Sequence, residues 1–234
     1  MTKRVLMVLT NHGVVEGTDK PTGWYLPECT HPYTRFKQAG YHIEFASIKG
    51  GVCPITPSSL DNLAADPESK EFWENPETRA LTENTQVLST VNPSNYDIIF
   101  FVGGIGTMWD FPFDSKLAEI AATIYENGGV VSAVCHGPIA LANVRLSNGE
   151  YLVKDKEVAA FCNEEEDFTG YLSLLPEHDN GLKRCEDILL ARGARYTKTG
   201  PWGVHVASTD RLFTGQNPAS AGPVAARIVE SFTH

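Results

Sequence analysis

The chain has 234 residues, 42% of them hydrophobic, with 20 glycines and a formal net charge of −10. That size and balance suit one large globular α/β domain, read here as a single domain over residues 1–234. The acidity and the lack of a basic stripe argue against nucleic acid as a partner, and no apolar run reaches the ~18 residues of a membrane span.

Five cysteines are scattered at Cys29, Cys53, Cys135, Cys162 and Cys185. They form no Cys-x-x-Cys pair and no zinc-spaced cluster. Neither a disulfide framework nor a metal site is expected, and a reducing, cytoplasmic compartment fits.

Elements follow in chain order. The run Val5-Leu6-Met7-Val8-Leu9 predicts a first strand over 4–10. A helical pattern over 28–38 ends at Gly40. A second strand spans 41–48. Residues 50–95 are rich in Pro, Asp and Glu, and predict a cap insertion of short helices over one end of the sheet. Ile98-Ile99-Phe100-Phe101-Val102 predicts a buried strand that stops at Gly103-Gly104-Ile105-Gly106. A helix over 116–127 has Asp114 as its N-cap. The next strand, Val130 to Val134, ends abruptly at Cys135. Gly137 and Pro138 then start a helix. A β-excursion over 149–160, a helix over 182–192, short strands over 195–197, 204–208 and 211–214, and a helix over 219–232 complete the chain. Alternating strands and helices predict a doubly wound, mostly parallel sheet with helices on both faces. Its site belongs at the carboxyl ends of the strands.

Cys135 ends one of those strands. The small residues Ala133 and Gly137 flank it, as the sharp turn of a nucleophile elbow demands. A thiol there sits at a helix start, where the dipole favours thiolate. His136 is adjacent, and a tight elbow can turn both side chains into one pocket. Glu28 opens the first helix, at the carboxyl edge of the first strand, so its carboxyl can point at Cys135. Buried beside a thiolate, it acquires a raised pKa and can exchange protons. Amides of the Gly103–Gly106 turn and of His136 can form an oxyanion hole. The run Glu164-Glu165-Glu166-Asp167 reads first as a solvated acidic turn, one of whose members can orient His136. Glu28 and His31 have metal-ligand spacing, but with no second cluster no metal is expected.

Ala133-Val134-Cys135-His136-Gly137-Pro138 resembles the elbow of the ThiJ/PfpI superfamily, relatives of the parkinsonism-associated deglycase and of class I glutamine amidotransferases. Other segments resemble its heat-shock-protein-31, or glyoxalase III, branch. These are Thr22 to Glu28 with His31-Pro32-Tyr33, the Gly103–Gly106 turn with Trp109-Asp110-Phe111-Pro112, Phe161 to Glu166, and Thr214 to Ser220. The resemblance covers nearly the whole chain. It implies a flavodoxin-like fold, a homodimer, and cofactor-independent conversion of methylglyoxal to lactate. By position it makes Cys135 the nucleophile, Glu28 the general acid/base, His136 the elbow histidine and Glu166 its orienting acid. Gly104 and Ile105 become oxyanion and substrate contacts. Ile105 departs from the histidine usual in that turn, so a polar wall becomes apolar. The substrate class is a small aldehyde. Two alternatives accompany this reading: a stress-response holdase for unfolded proteins or a cysteine redox sensor, and a cysteine hydrolase or amidotransferase.

Overall fold

The computed structural model describes residues 2–233. Its strands are β1 (Arg4–Leu9), β2 (His42–Ser47), β3 (Gln86–Val87), β4 (Ile98–Phe101), β5 (Val130–Val134), β6 (Glu157–Val158), β7 (Arg195–Tyr196), β8 (Val206–Thr209) and β9 (Leu212–Gly215). Its α-helices are α1 (Leu26–Gln38), α2 (Pro67–Glu74), α3 (Pro76–Glu83), α4 (Thr107–Asp110), α5 (Ser115–Glu126), α6 (Asn163–Thr169), α7 (Cys185–Ala191) and α8 (Ala221–Ser231).

Seven strands form one sheet in the order β3-β2-β1-β4-β5-β9-β8, and β6 pairs with β7 in a small separate ribbon. All pairs in the large sheet are parallel except β8 against β9. The fold is the expected doubly wound α/β sheet. β4 and β5 are buried along their whole length, which is why they read as unbroken apolar runs and not as alternating ones. One face of the sheet packs on α5, α7 and the segment after Cys135. The other packs on α1 and α8 through Cys29, Phe36, Val224, Ala225 and Ile228. From β1 the chain runs outward to β2 and β3, then returns to β4 on the other side. The crevice between the carboxyl ends of β1 and β4 is therefore a topological switch point.

Residues 50–95 do hold short helices. α2 is fastened to the outside of α1: Phe72 packs edge-on against Tyr33 at 5.1 Å, and Thr30 and Ser69 hydroxyls bond at 2.7 Å. A bridge between Trp24 and Ile55 then brings Thr56 and Ser58 to the sheet's carboxyl edge. The same segment also adds β3 to the sheet, which its two-residue length hid in the sequence.

Three local expectations change. The 149–160 stretch makes one bridge, Arg145 to Tyr151, and a two-residue strand; turns occupy the rest. The acidic run at 164–167 is not a solvated turn but part of α6, with Glu165 and Glu166 buried on it. Beyond Cys135 the chain winds into a seven-residue 3-10 helix, Gly137–Asn143, and not an α-helix. This tighter form serves for short pieces.

Candidate active site

Three strand ends and two helices build the site. Cys135 follows β5 with φ +61, a left-handed conformation that is uncommon for a residue with a side chain. Two hydrogen bonds hold it there: Cys135 N–H donates to the Gly215 carbonyl at 2.9 Å, and Phe161 N–H donates to the Cys135 carbonyl at 2.7 Å. Such strain persists only where neighbours over-determine it, and it concentrates at functional sites. The bend turns the Cys135 and His136 side chains to one side, with Sγ and Nδ1 3.5 Å apart.

His136 has a second partner. Its Nε2–H donates to Glu166 Oε2 at 2.8 Å, with both side chains buried. Burial pushes the Glu166 carboxyl up, but His136, the Thr169 hydroxyl and Arg184 more than offset it and hold the group below the usual carboxylate range. A carboxylate at Nε2 fixes the ring's tautomer, so a neutral His136 turns its bare Nδ1 to the thiol.

Glu28 approaches from the first turn of α1, fully buried. Burial raises its pKa well above the usual range. The Cys135 thiol and the Gly103 N–H pull back against this, but neither makes a well-formed hydrogen bond to either carboxyl oxygen. A buried carboxyl without a protein partner is an exception that a ligand explains. Carboxyl and thiol meet across Gly103. A methyl there would overlap Glu28 Oε2 and the Val134 carbonyl and lie 3.0 Å from Cys135 Cβ. Gly103→Ala is therefore expected to lower unfolding free energy by about 1–3 kcal/mol. Urea denaturation reads this directly, and an unchanged midpoint would show that the elbow yields.

The expected thiolate does not form at rest. Burial raises the Cys135 pKa well above the ordinary thiol value, and the charges of Glu28 and Glu165 add to this, against a smaller pull from the His136 amide. A short 3-10 segment has little dipole, and desolvation of a fully enclosed thiol outweighs it.

Gly104 has φ +113, and a side chain there would strike the Gly23 carbonyl. The N–H groups of Gly104 and Ile105 donate to no backbone or side-chain acceptor among the described residues, and that of His136 faces the Cys135 sulfur. Donors so placed can meet a developing oxyanion. A cavity of about 270 Å³ opens over these groups. Ile105 gives it an apolar wall beside Tyr25, Phe161, Tyr171 and Trp202. A larger hollow of about 680 Å³, lined by Phe113, Glu119 and Arg145, shares no residue with it.

The structure thus gathers Cys135, His136, Glu28, Glu166, Gly104 and Ile105 in one place. His31 is not among them. It leaves Glu28 and pairs with Asp66, the N-cap of α2, at 2.8 Å, and no metal-holding group of three or more His, Cys, Asp or Glu occurs among the described residues. Sequence reasoning missed Glu165, whose Oε1 accepts from Trp202 N–H at 2.7 Å, Asn217 Nδ2 at 2.8 Å and Gln216 Nε2 at 3.1 Å. It also missed Trp202 itself, although Gly200-Pro201-Trp202-Gly203 is a turn signature with a large aromatic inside.

Residues 21–230 match the DJ-1/PfpI family. The chain belongs to that family. Among its curated relatives, Glyoxalase 3 of Candida albicans is 33% identical over 238 residues, covering 98% of each chain. A glutathione-independent glyoxalase of Saccharomyces cerevisiae is 31% identical, also covering 98% of each. Two solved family structures superpose closely. The Rapid Encystment Protein of Francisella tularensis has a TM-score of 0.90 and 37% identity, covering 98% of this chain and 99% of that one. Glyoxalase III of Candida albicans has a TM-score of 0.89 and 33% identity, covering 98% and 97%. No helix among the described residues is long and apolar enough to cross a membrane.

Proposed function

We propose that this DJ-1/PfpI protein is a glutathione-independent glyoxalase that converts methylglyoxal, and 2-oxoaldehydes generally, to 2-hydroxy acids without a cofactor. The observation that carries the reading is the buried, unpartnered Glu28 carboxyl beside the elbow thiol. A hydrolase reading needs only a nucleophile and its base. A second, protonated carboxyl is what an intramolecular hydrogen shift requires.

In this reading the Cys135 thiol passes its proton to His136 Nδ1 as sulfur adds to the aldehyde carbon. Glu166 stabilises the imidazolium that forms. The N–H groups of Gly104, Ile105 and His136 receive the oxyanion, and the imidazolium then protonates it to a hemithioacetal. Glu28 gives its proton to the ketone oxygen and takes the hydrogen of the former aldehyde carbon, which leaves an enediol. Glu28 then protonates the neighbouring carbon and takes the hydroxyl proton from the sulfur-bearing carbon, which yields a 2-hydroxyacyl thioester and returns Glu28 to its protonated state. Water cleaves the thioester to lactate and the free thiol. Overall, one methylglyoxal and one water give one lactate, and no external oxidant or reductant takes part.

The expected result is lactate accumulation from methylglyoxal in buffer free of glutathione. A purified protein that leaves methylglyoxal unconsumed would overturn the reading. A homodimer, a cytoplasmic location and binding of unfolded polypeptide stay within this proposal as what the family resemblance implies.

A further inference from the structure

Aromatic rings run without a break from the catalytic histidine to the protein surface. Phe161 lies 4.2 Å from the His136 ring, Trp202 lies 5.8 Å from Phe161, and Phe168 lies 6.1 Å from Trp202. Phe161 and Trp202 line the catalytic cavity. Trp202 is 52% exposed and Phe168 71% exposed, so the outer end of this wall is uncovered in the single chain.

Trp202 is held there at a cost. Its φ of +64 is an outlier for so bulky a residue. The holding groups are buried and specific. Trp202 N–H donates to the fully buried Glu165, Thr199 N–H donates to Gln216 Oε1 at 2.9 Å, and Asn217 Nδ2–H donates to the Gly203 carbonyl at 2.8 Å. Glu165 is in turn the neighbour of Glu166 on α6, so one helix turn orients His136 with one carboxylate and fixes the Trp202 loop with the next. A strained aromatic pinned beside a catalytic cavity is preorganised for a ligand, since little freedom is lost on binding.

The cavity is also larger than its smallest substrate needs. At about 270 Å³ it has room for roughly nine waters at their liquid share, about twice what a three-carbon dicarbonyl fills. Phe161 and Trp202 contribute apolar rings to the lining of that space.

We propose that Phe161 and Trp202, continued outward by Phe168, form a subsite for a planar apolar group on the ketone carbon, so that the protein takes aryl-substituted 2-oxoaldehydes. This inference rests on the 2-oxoaldehyde reading of the site. Offset or edge-on packing between the substituent and the two rings supplies the selectivity.

Phenylglyoxal and methylglyoxal, with their products mandelate and lactate, test it. By calorimetry on the whole protein, mandelate is expected to bind about tenfold tighter than lactate, the size of one aromatic pair with the area it covers. Trp202→Gly keeps the left-handed backbone accessible, and Phe168→Ala alters only an exposed side chain. Trp202→Gly is expected to abolish the mandelate preference and to lower the phenylglyoxal-to-methylglyoxal ratio of kcat/KM by about tenfold, with a smaller fall for Phe168→Ala. Equal binding of the two acids, or a preference that survives Trp202→Gly, overturns the inference. So does a Phe168→Ala protein that changes its size-exclusion elution with the preference intact, because the outer wall is then an interface between copies. Mandelate preference without turnover of either aldehyde leaves the subsite standing and removes the glyoxalase reading instead.

Discussion

Glu28→Gln is expected to lower kcat for methylglyoxal by about 10²–10⁴, the usual weight of a positioned general acid/base. The amide keeps the shape of the side chain but cannot carry the proton between carbon and oxygen. The same substitution changes the pH dependence of stability, with a definite sign. An unfolded glutamate loses its proton near pH 4.3, whereas the folded chain holds Glu28 protonated well above that. Above about pH 4.3 the folded state therefore binds more protons than the unfolded one, so stability falls as pH rises, by up to about 1.4 kcal/mol per pH unit until the folded pKa is passed. Glu28→Gln removes this slope. Melting curves of both proteins between pH 5 and 8 are expected to diverge in favour of the variant as pH increases. Parallel curves would show that Glu28 is ionised in the fold, and turnover intact in the variant would remove Glu28 from the chemistry.

Cys135→Ala is expected to reduce lactate formation to background, the larger of the two losses, because Cys135 carries the one thiol among the residues lining the cavity. Alanine keeps Cβ and with it the left-handed strain at φ +61, so the melting temperature should move by only a few degrees for a chain of this size. That pairing separates the sulfur's chemical role from its packing. Cys135→Ser is expected to behave alike, since His136 must then remove a proton from a far less acidic hydroxyl. Lactate formation above a few per cent of wild type in the alanine protein would exclude the covalent route.

Burial of the two groups explains why neither the thiol nor the Glu28 carboxyl is charged at rest. Thiol and Glu28 carboxyl are both pushed up by desolvation; Glu28 makes the thiol costlier still to ionise, while the thiol pulls the carboxyl back only in part. Charge on the thiol and on Glu28 therefore appears only when substrate arrives, with His136, backed by the Glu166 carboxylate, ready to take the proton and the turn amides ready for the oxyanion. Water excluded from the cavity strengthens each of these contacts.

Much of this was legible in the residues. Unbroken apolar runs at β4 and β5 can only be strands covered on both faces. Glycine after each of them marks a carboxyl edge where backbones approach closely. Cys135 between small residues, with Gly-Pro after it, has one economical conformation, and the family motifs supplied its partners. The acidic run at 164–167 was less legible, because four carboxylates in a row look solvated whichever of them is buried. Local sequence carries no sign of which will meet His136 and which will meet Gln216 and Asn217 from a strand end some fifty residues on.

The sequence by itself determined the sheet, its carboxyl edge, and the meeting of Cys135 with Glu28 there. These follow from period, burial and turn chemistry, which are local. Only the tertiary structure decided the ionisation of the site and the shape of its wall. Desolvation depends on everything packed around a group, so the thiol that a helix start would acidify is instead held protonated. The left-handed Trp202 is likewise maintained by a buried carboxylate on another element, and contacts of that kind exist only once the chain has closed.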